Sequence, residues 1–239
     1  MNKCIIFLSK KEKYLKSAYK IKKNTKLNVD IIYIEDFIQN INKNEILEDS
    51  IIYFLCNSNL NKEIVNIASK TKCYIFNKRF FENNYTKLEI QKLLIKNKLC
   101  VPKIATYEDY RNLKYPVFCK ENRHAGIVFK AYTNNTVKRI LEKFDQKDFY
   151  IEESIECQQE IKYYYIKGNV YCKDTMDIPN VIYNNCDRIA KLLKLDIFSM
   201  DVIKNNNSYM IIDVNSSAGF YLLDDARNNL IYEIEKLEG

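Results

Sequence analysis

Short, almost unbroken apolar runs recur along the first third of this chain at intervals that leave room for one helix, and that alternation limits the architectures open to it. Residues 4–8, 29–34, 51–55 and 73–76 read as strands, with helices over 11–23 and 62–69. A strand lacking polar alternation is one buried on both faces, so these runs predict a small parallel sheet covered by helices. Residues 1–76 contain no glycine, which excludes the G-x-G-x-x-G dinucleotide fingerprint after the first strand. The layer is expected to be a scaffold, a dimer contact or one wall of a substrate cleft.

From residue 86 the pattern changes. Leu88, Ile90, Leu93 and Leu94 stand at helical spacing within 87–98, and Cys100-Val101-Pro102 gives an extended exit, because the residue before proline avoids helical geometry. Strands are predicted over 117–120, 127–132, 149–154, 160–166 and 169–173, with helices over 135–144, 180–193 and from 222 onward. No repeat, linker or low-complexity tract separates these pieces, so tightly joined domains are expected.

Composition excludes several classes of function. With 239 residues, 47% of them hydrophobic, the chain can bury a substantial core as one large domain or two or three small ones. Apolar runs are too short for a membrane span and no signal-peptide pattern is present, so a cytoplasmic protein without a membrane partner is expected. Eight cysteines without a CxxC pair suit buried thiols in a reducing compartment and speak against zinc. His124 is the one histidine, which leaves no material for a histidine triad or a multi-histidine metal site. The net charge of +7 comes from lysines scattered over the whole chain, the mark of a solvated surface rather than a nucleic-acid stripe.

The segment FSMDVIKNNNSYMIIDVNSSAGF reads as two strands joined by the turn Asn205-Asn206-Asn207. Alternation puts Met200, Val202, Met210, Ile212 and Val214 on one face, and Ser199, Asp201, Ile203, Tyr209, Ile211, Asp213 and Asn215 on the other. Two readings fit that pattern. The two carboxylates and the amide form a hard oxygen set for Mg²⁺ shared with phosphate oxygens, or they line the wet side of an amphipathic hairpin.

Taken in order, Tyr85-Thr86-Lys87 opening a helix, LCVPKIATYEDY, YPVFCKENRHAG, YIEESIE, EIKYYYIKG, and MDVI with IIDVNSSAGF resemble the ATP-grasp superfamily over residues 77–220. Within it, the chain is most similar to the ribosomal-protein glutamate ligases and the lysine-biosynthesis ligases. The resemblance implies an α/β fold: a small parallel-sheet domain over 1–76, then two ATP-grasp subdomains of mixed helices and strands, over 77–148 with a lid and over 149–239 with the Mg/ATP site. It also implies site residues. Lys87 and Lys120 match the two phosphate-contacting lysines, with a solvent-facing lysine as the alternative for Lys87. Glu152, Glu153, Ser154 and Ile155 match the linker that holds adenine, Glu160 the acid at the ribose, and Lys162 a basic residue near the phosphates. For Glu160 and Lys162 an outward strand position is the other reading. Asp201, Asp213 and Asn215 match the magnesium ligands, although the family generally has Glu where Asp213 stands. Ser216-Ser217-Ala218-Gly219 matches the small-residue stretch beside the acceptor substrate.

Two departures stand out. The glycine-rich loop over the phosphates is reduced to Glu121-Asn122-Arg123-His124-Ala125-Gly126, so Arg123 and His124 either supply charge there or are plain loop residues. The excursion carrying a catalytic arginine shrinks to CKDTMDIPN, with Lys173 and Arg188 the nearest substitutes. The implied activity is an ATP-dependent carboxylate–amine ligation through an acyl phosphate. It would use ATP and Mg²⁺, or Mn²⁺ in its place, on small-molecule or peptide substrates, and a homodimer is in keeping with it. The rival readings are a nucleotide-binding homologue that has lost turnover and a partner-binding protein without catalysis.

Overall fold

The computed structural model describes residues 1, 3–10, 14–124, 126–173, 177–206, 208–220 and 223–238. The chain begins β1 (Lys3–Leu8), α1 (Leu15–Asn24), β2 (Asn28–Tyr33), α2 (Ile34–Ile38), α3 (Lys43–Leu47), β3 (Ser50–Phe54), α4 (Leu60–Ala68), β4 (Tyr74–Ile75) and α5 (Lys78–Asn83). It continues through α6 (Lys87–Lys96), β5 (Ile104–Ala105), β6 (Val117–Glu121), β7 (Val128–Ala131), α7 (Asn134–Leu141) and β8 (Phe149–Glu153). The last part comprises β9 (Gln159–Ile166), β10 (Asn169–Cys172), α8 (Asn180–Leu193), β11 (Ile197–Asn205), β12 (Ser208–Asn215) and α9 (Asp224–Glu235). Among the described residues, no helix is long and apolar enough to cross a membrane.

Contacts gather these elements into two units. One comprises Met1–Asn84, Lys162–Met200 and Asn215–Gly239; the other comprises Tyr85–Ile161 and Asp201–Val214. The first holds a parallel sheet in the order β2-β1-β3-β4. Both faces of that sheet are covered, which is why β1 and β3 read as continuous apolar runs. Phe7 and Phe54 stack at 5.4 Å on one face, where Phe37 of α2 and Phe81 of α5 meet them edge-on at 5.0 and 4.8 Å. Ile6, Leu8, Ile51 and Tyr53 point to the other face and share a core with Ala18 and Ile21 of α1 and Ala226 and Leu230 of α9. β9 and β10 pair antiparallel across the two-residue turn Lys167-Gly168, where both residues take positive φ, 42° and 97°, the conformation a tight hairpin of that length needs.

The second unit holds the sheet β5-β8-β6-β7, antiparallel throughout. Val117, Cys119, Ala131, Phe149 and Ile151 form its core with Val137 and Leu141 of α7 and with Tyr110. A further sheet has the order β10-β9-β11-β12.

Several expected boundaries move. The helices α2, α3 and α5 and the strand β5 escape sequence periodicity because none exceeds six residues, too short a span for a 3.6-residue repeat to be read. The helix expected over 87–98 stops at Lys96, where Asn97 caps the Leu93 carbonyl at 2.9 Å and Lys98 turns to φ 56°. The helix expected over 135–144 ends at Leu141, and the start of the one expected over 11–23 lies outside the described residues. Residue 222, the expected start of the terminal helix, lies outside them too, as does Asn207 of the turn. Cysteine burial is divided: Cys4, Cys56, Cys119 and Cys186 are buried, whereas Cys100 and Cys157 are exposed.

Candidate functional site

Within the second unit, a buried lysine and a half-buried one are each held by a carboxylate. Thr86 caps α6, accepting from the Glu89 N–H while the Glu89 carboxylate accepts from the Thr86 N–H, so Lys87 is fixed in the first helical residue. A cation at that end meets the positive pole of the helix, and burying it there requires an anion. Asp213 of β12 supplies one: Lys87 Nζ, in a residue only 8% exposed, donates to Asp213 Oδ1 and to the Val214 carbonyl at 3.0 Å. The Val214 N–H also donates to Asp213 Oδ1, at 3.0 Å, which fixes the carboxylate from its own backbone.

The other pair stands on the sheet. Strand alternation turns Phe118 and Lys120 away from the unit's core, and the register sets Lys120 between Val128 and Tyr150, and Phe118 between Lys130 and Glu152. Lys120 Nζ donates to Glu152 Oε1 at 2.5 Å. Glu152 is 2% exposed, and its Oε2 is buried with no hydrogen-bond partner among the described residues. Burial pushes the Glu152 carboxyl above its ordinary value, opposed chiefly by Lys120; the Asp213 charge raises it further and Lys87 acts against that.

Those mutual influences place Lys87, Lys120, Glu152 and Asp213 in one electrostatic neighbourhood, and two more residues belong to it. Tyr150, buried beside Lys120, has its hydroxyl pushed up by burial and then by Glu152 and Asp213. His124 is pushed down to about 4 by burial first and Lys87 second, against the pull of Asp213. Its imidazole is therefore neutral near pH 7 and brings no charge to the loop. Sequence reasoning misses Tyr150 and does not place His124 beside Lys87. Tyr150 has a readable signal, since its alternation with Phe149 puts it on the Lys120 face once β8 is paired with β6; His124 has none.

The remaining sequence candidates are placed as follows. Glu153 accepts from the Lys114 N–H at 2.8 Å, while its own N–H donates to the Lys103 carbonyl and that of Ser154 to the Pro116 carbonyl. Ile155 follows in half-buried coil. Glu160 is exposed on β9, and Arg123 is exposed and ion-paired with Glu121. Glu121 and Ile127, at the two ends of the β6–β7 connection, are tied together, with the Glu121 N–H on the Ile127 carbonyl and the Ile127 N–H on the Glu121 carboxylate, both at 2.9 Å. Asp201 is half-buried on β11 in the second unit. Ile203 and Ile211, buried, share strand faces with Asp201 and Asp213 respectively, so that side is not the purely polar one of a wet hairpin. Asn215 ends β12 in the first unit, which also holds Lys162, Lys173 and Arg188, all three exposed. In the same unit, Ser216 and Ser217 hydroxyls bond the Asn57 side-chain oxygen at 2.6 and 3.1 Å, and Tyr53 donates to the Ala218 carbonyl at 2.8 Å. Among the described residues, no three His, Cys, Asp or Glu side chains cluster as a metal site would need if it relied on the protein alone.

No protein-family model matches this chain, and no curated protein sequence does. Solved structures do match. The ATP-grasp ligase PsnB, solved with a precursor peptide and AMPPNP, superposes with a TM-score of 0.72 over 100% of this chain and 97% of its own, at 13% identity. D-alanine–D-alanine ligase from Bacillus anthracis reaches 0.75 over 99% and 95%, at 14% identity. An ATP-grasp RimK domain protein from Sphaerobacter thermophilus reaches 0.66 over 97% and 98%, at 9% identity. At such identities the likeness establishes the fold.

Proposed function

We propose that this chain, whose fold is that of the ATP-grasp ligases, joins a carboxylate to an amine at the expense of ATP. The observation that carries the reading is the set Lys87, Lys120, Glu152 and Asp213, Lys87 and Glu152 buried and the other two half-buried, in which each ammonium group meets a carboxylate. A cell of this kind stays neutral when empty and can exchange partners when a triphosphate and a cation enter. Lys87 and Lys120 would then face phosphate oxygens, and Asp213, with Asp201 and Asn215, would hold Mg²⁺ or Mn²⁺. Two carboxylates and an amide are hard oxygen donors, and Mg²⁺ is usually bound by one or two carboxylates together with phosphate oxygens and water. The metal would supply charge neutralisation at the transferred phosphoryl group.

Glu152 supports the adenine assignment. Its Oε2, with no partner among the described residues, is a buried acceptor suited to an exocyclic amino group. The Glu153 and Ser154 N–H groups are already bonded, so a purine edge would use the remaining groups of residues 152–155. In the proposed reaction the substrate carboxylate attacks the γ-phosphorus, ADP leaves, and the amine displaces phosphate from the acyl phosphate. The residues position and neutralise rather than react covalently. Similarity to a ligase solved with a precursor peptide supports a peptide or small-molecule acid as the carboxylate partner. A cytoplasmic setting and a homodimer complete the proposal, the latter open to light scattering.

A nucleotide-binding protein without turnover is the second reading, favoured by Arg123 being tied to Glu121 and by Lys173 and Arg188 being exposed in the first unit. Calorimetric titration of ATP with Mg²⁺, followed by phosphate release in the presence of an acid and an amine, separates the two. Saturable binding with substrate-stimulated release that Asp213→Ala abolishes, its circular dichroism unchanged, is the expected outcome. Binding without release leaves the second reading; absence of binding, or wild-type release by Asp213→Ala, removes the first.

A further inference from the structure

The first unit contains a pocket that the ligase reading does not use. It has a volume of about 450 Å³, within the range of roughly 300 to 1,000 Å³ typical of small-molecule sites. The edge strand β4 and the start of α5 form one wall with Cys73, Tyr74, Ile75, Lys78 and Arg79; the end of α8 and the lead into β11 form the other with Ala190, Lys194, Leu195 and Asp196. Asn77, 2% exposed, bolts these walls together. Its side-chain oxygen accepts from the Asp196 and Ile197 N–H groups at 2.7 and 3.0 Å, and its amide donates to the Ile197 and Ser216 carbonyls at 2.6 and 3.0 Å. The walls are thus fixed before any ligand arrives, which lowers the entropic cost of binding.

The charge of the lining is one-sided. Lys78, Arg79 and Lys194 face a single carboxylate, Asp196, which already accepts from the Asn77 N–H at 3.3 Å. Arg79 and Lys194 make no ion pair among the described residues, and Lys78 has only Glu82 at 3.9 Å. Lys194 closes α8 with φ 57°, a left-handed conformation that costs a side-chain-bearing residue energy and that glycine usually takes at helix ends. Beside the cations, Tyr74, Ile75, Ala190 and Leu195 offer apolar surface. A guanidinium fork next to an ammonium matches a planar carboxylate or a phosphate.

We propose that this pocket binds a small organic anion with a carboxylate or phosphate head on a compact apolar body. Cys73, half-buried in the lining, is a built-in reporter. The full-length protein is treated with iodoacetamide, and the modification rate at Cys73 is read by peptide mass spectrometry during titration with phenyl phosphate, benzoate or neutral benzyl alcohol. At least one of the two anions is expected to protect Cys73 saturably, and benzyl alcohol is not. Protection by phenyl phosphate alone identifies phosphate as the head group, and protection by benzoate alone identifies carboxylate. Arg79→Gln and Lys194→Gln are each expected to raise the half-protecting concentration about tenfold, the factor that roughly 1.4 kcal/mol produces. Their thermal melts and Mg²⁺–ATP binding should match wild type. Failure of both anions to protect Cys73, or protection undiminished in both folded variants, overturns the proposal.

Discussion

Replacing Lys120 by methionine removes the only hydrogen-bond donor that reaches the Glu152 side chain among the described residues, and the cost should depend steeply on pH. Glu152 is 2% exposed, its Oε1 is held by Lys120 at 2.5 Å, and its Oε2 has no hydrogen-bond partner among the described residues. Its folded pKa already lies above the ordinary 4.5 through burial. The native state therefore binds the proton more tightly than the unfolded chain, so stability falls as pH rises from 4.5 through the raised native value. The Lys120→Met substitution deletes the main opposing influence and carries that fall further up the pH scale. The electrostatic penalty cannot exceed the free energy of protonating the group instead. Taken from 4.5 at about 1.36 kcal/mol per unit, that ceiling is about 5 kcal/mol at pH 8 and about 0.7 kcal/mol at pH 5. Removing one partner of a buried pair costs roughly 3 to 5 kcal/mol, and the 17% exposure of the Lys120 side chain reduces this to about 2 to 4 at pH 8. Urea unfolding of wild type and Lys120→Met at both pH values measures the difference, other titrations cancelling between the two proteins. A loss under about 1 kcal/mol at pH 5 that grows by at least about 1.5 kcal/mol at pH 8 is expected. Equal losses at the two pH values would refute the account of Glu152 as a buried carboxylate dependent on Lys120.

His124, the only histidine, should give one pair of imidazole NMR signals that titrate near 4; because the native pKa lies below 6.5, stability should drop as pH falls through that window, by up to about 3 kcal/mol. A titration midpoint near 6.5 would contradict its burial beside Lys87. Asn77→Ala leaves two carbonyls and two N–H groups without their side-chain partner, and thermal denaturation should register a loss of about 2 to 4 kcal/mol. At Gly219 an added methyl would lie 2.7 and 2.8 Å from Tyr14 ring atoms, so Gly219→Ala should cost about 1 to 3 kcal/mol, less in a Tyr14→Leu background. Equal costs in both backgrounds would show that the contact is not the cause.

Much of the architecture is written locally. The apolar runs of β1 and β3 announce a sheet covered on both faces, and the Thr86…Glu89 spacing at the head of α6 fixes where Lys87 enters a helix. The short helices α2, α3 and α5 leave no such mark, since five or six residues cannot display a helical period. Alternation likewise says that Lys120 and Tyr150 leave the core on the same side of their strands only once a register is known, and register is a property of two strands.

For the longer elements the chain's own pattern thus decides which residues are strand, which are helix, and which side chains share a face, because backbone sterics and burial act over a few neighbours. Only the tertiary structure decides that Lys87 meets Asp213, 126 positions later, that Lys120 meets Glu152, and that Asn77 bolts β4–α5 to the start of β11. Charge compensation and hydrogen-bond satisfaction are settled by distance in space, and separation along the sequence carries no record of that distance.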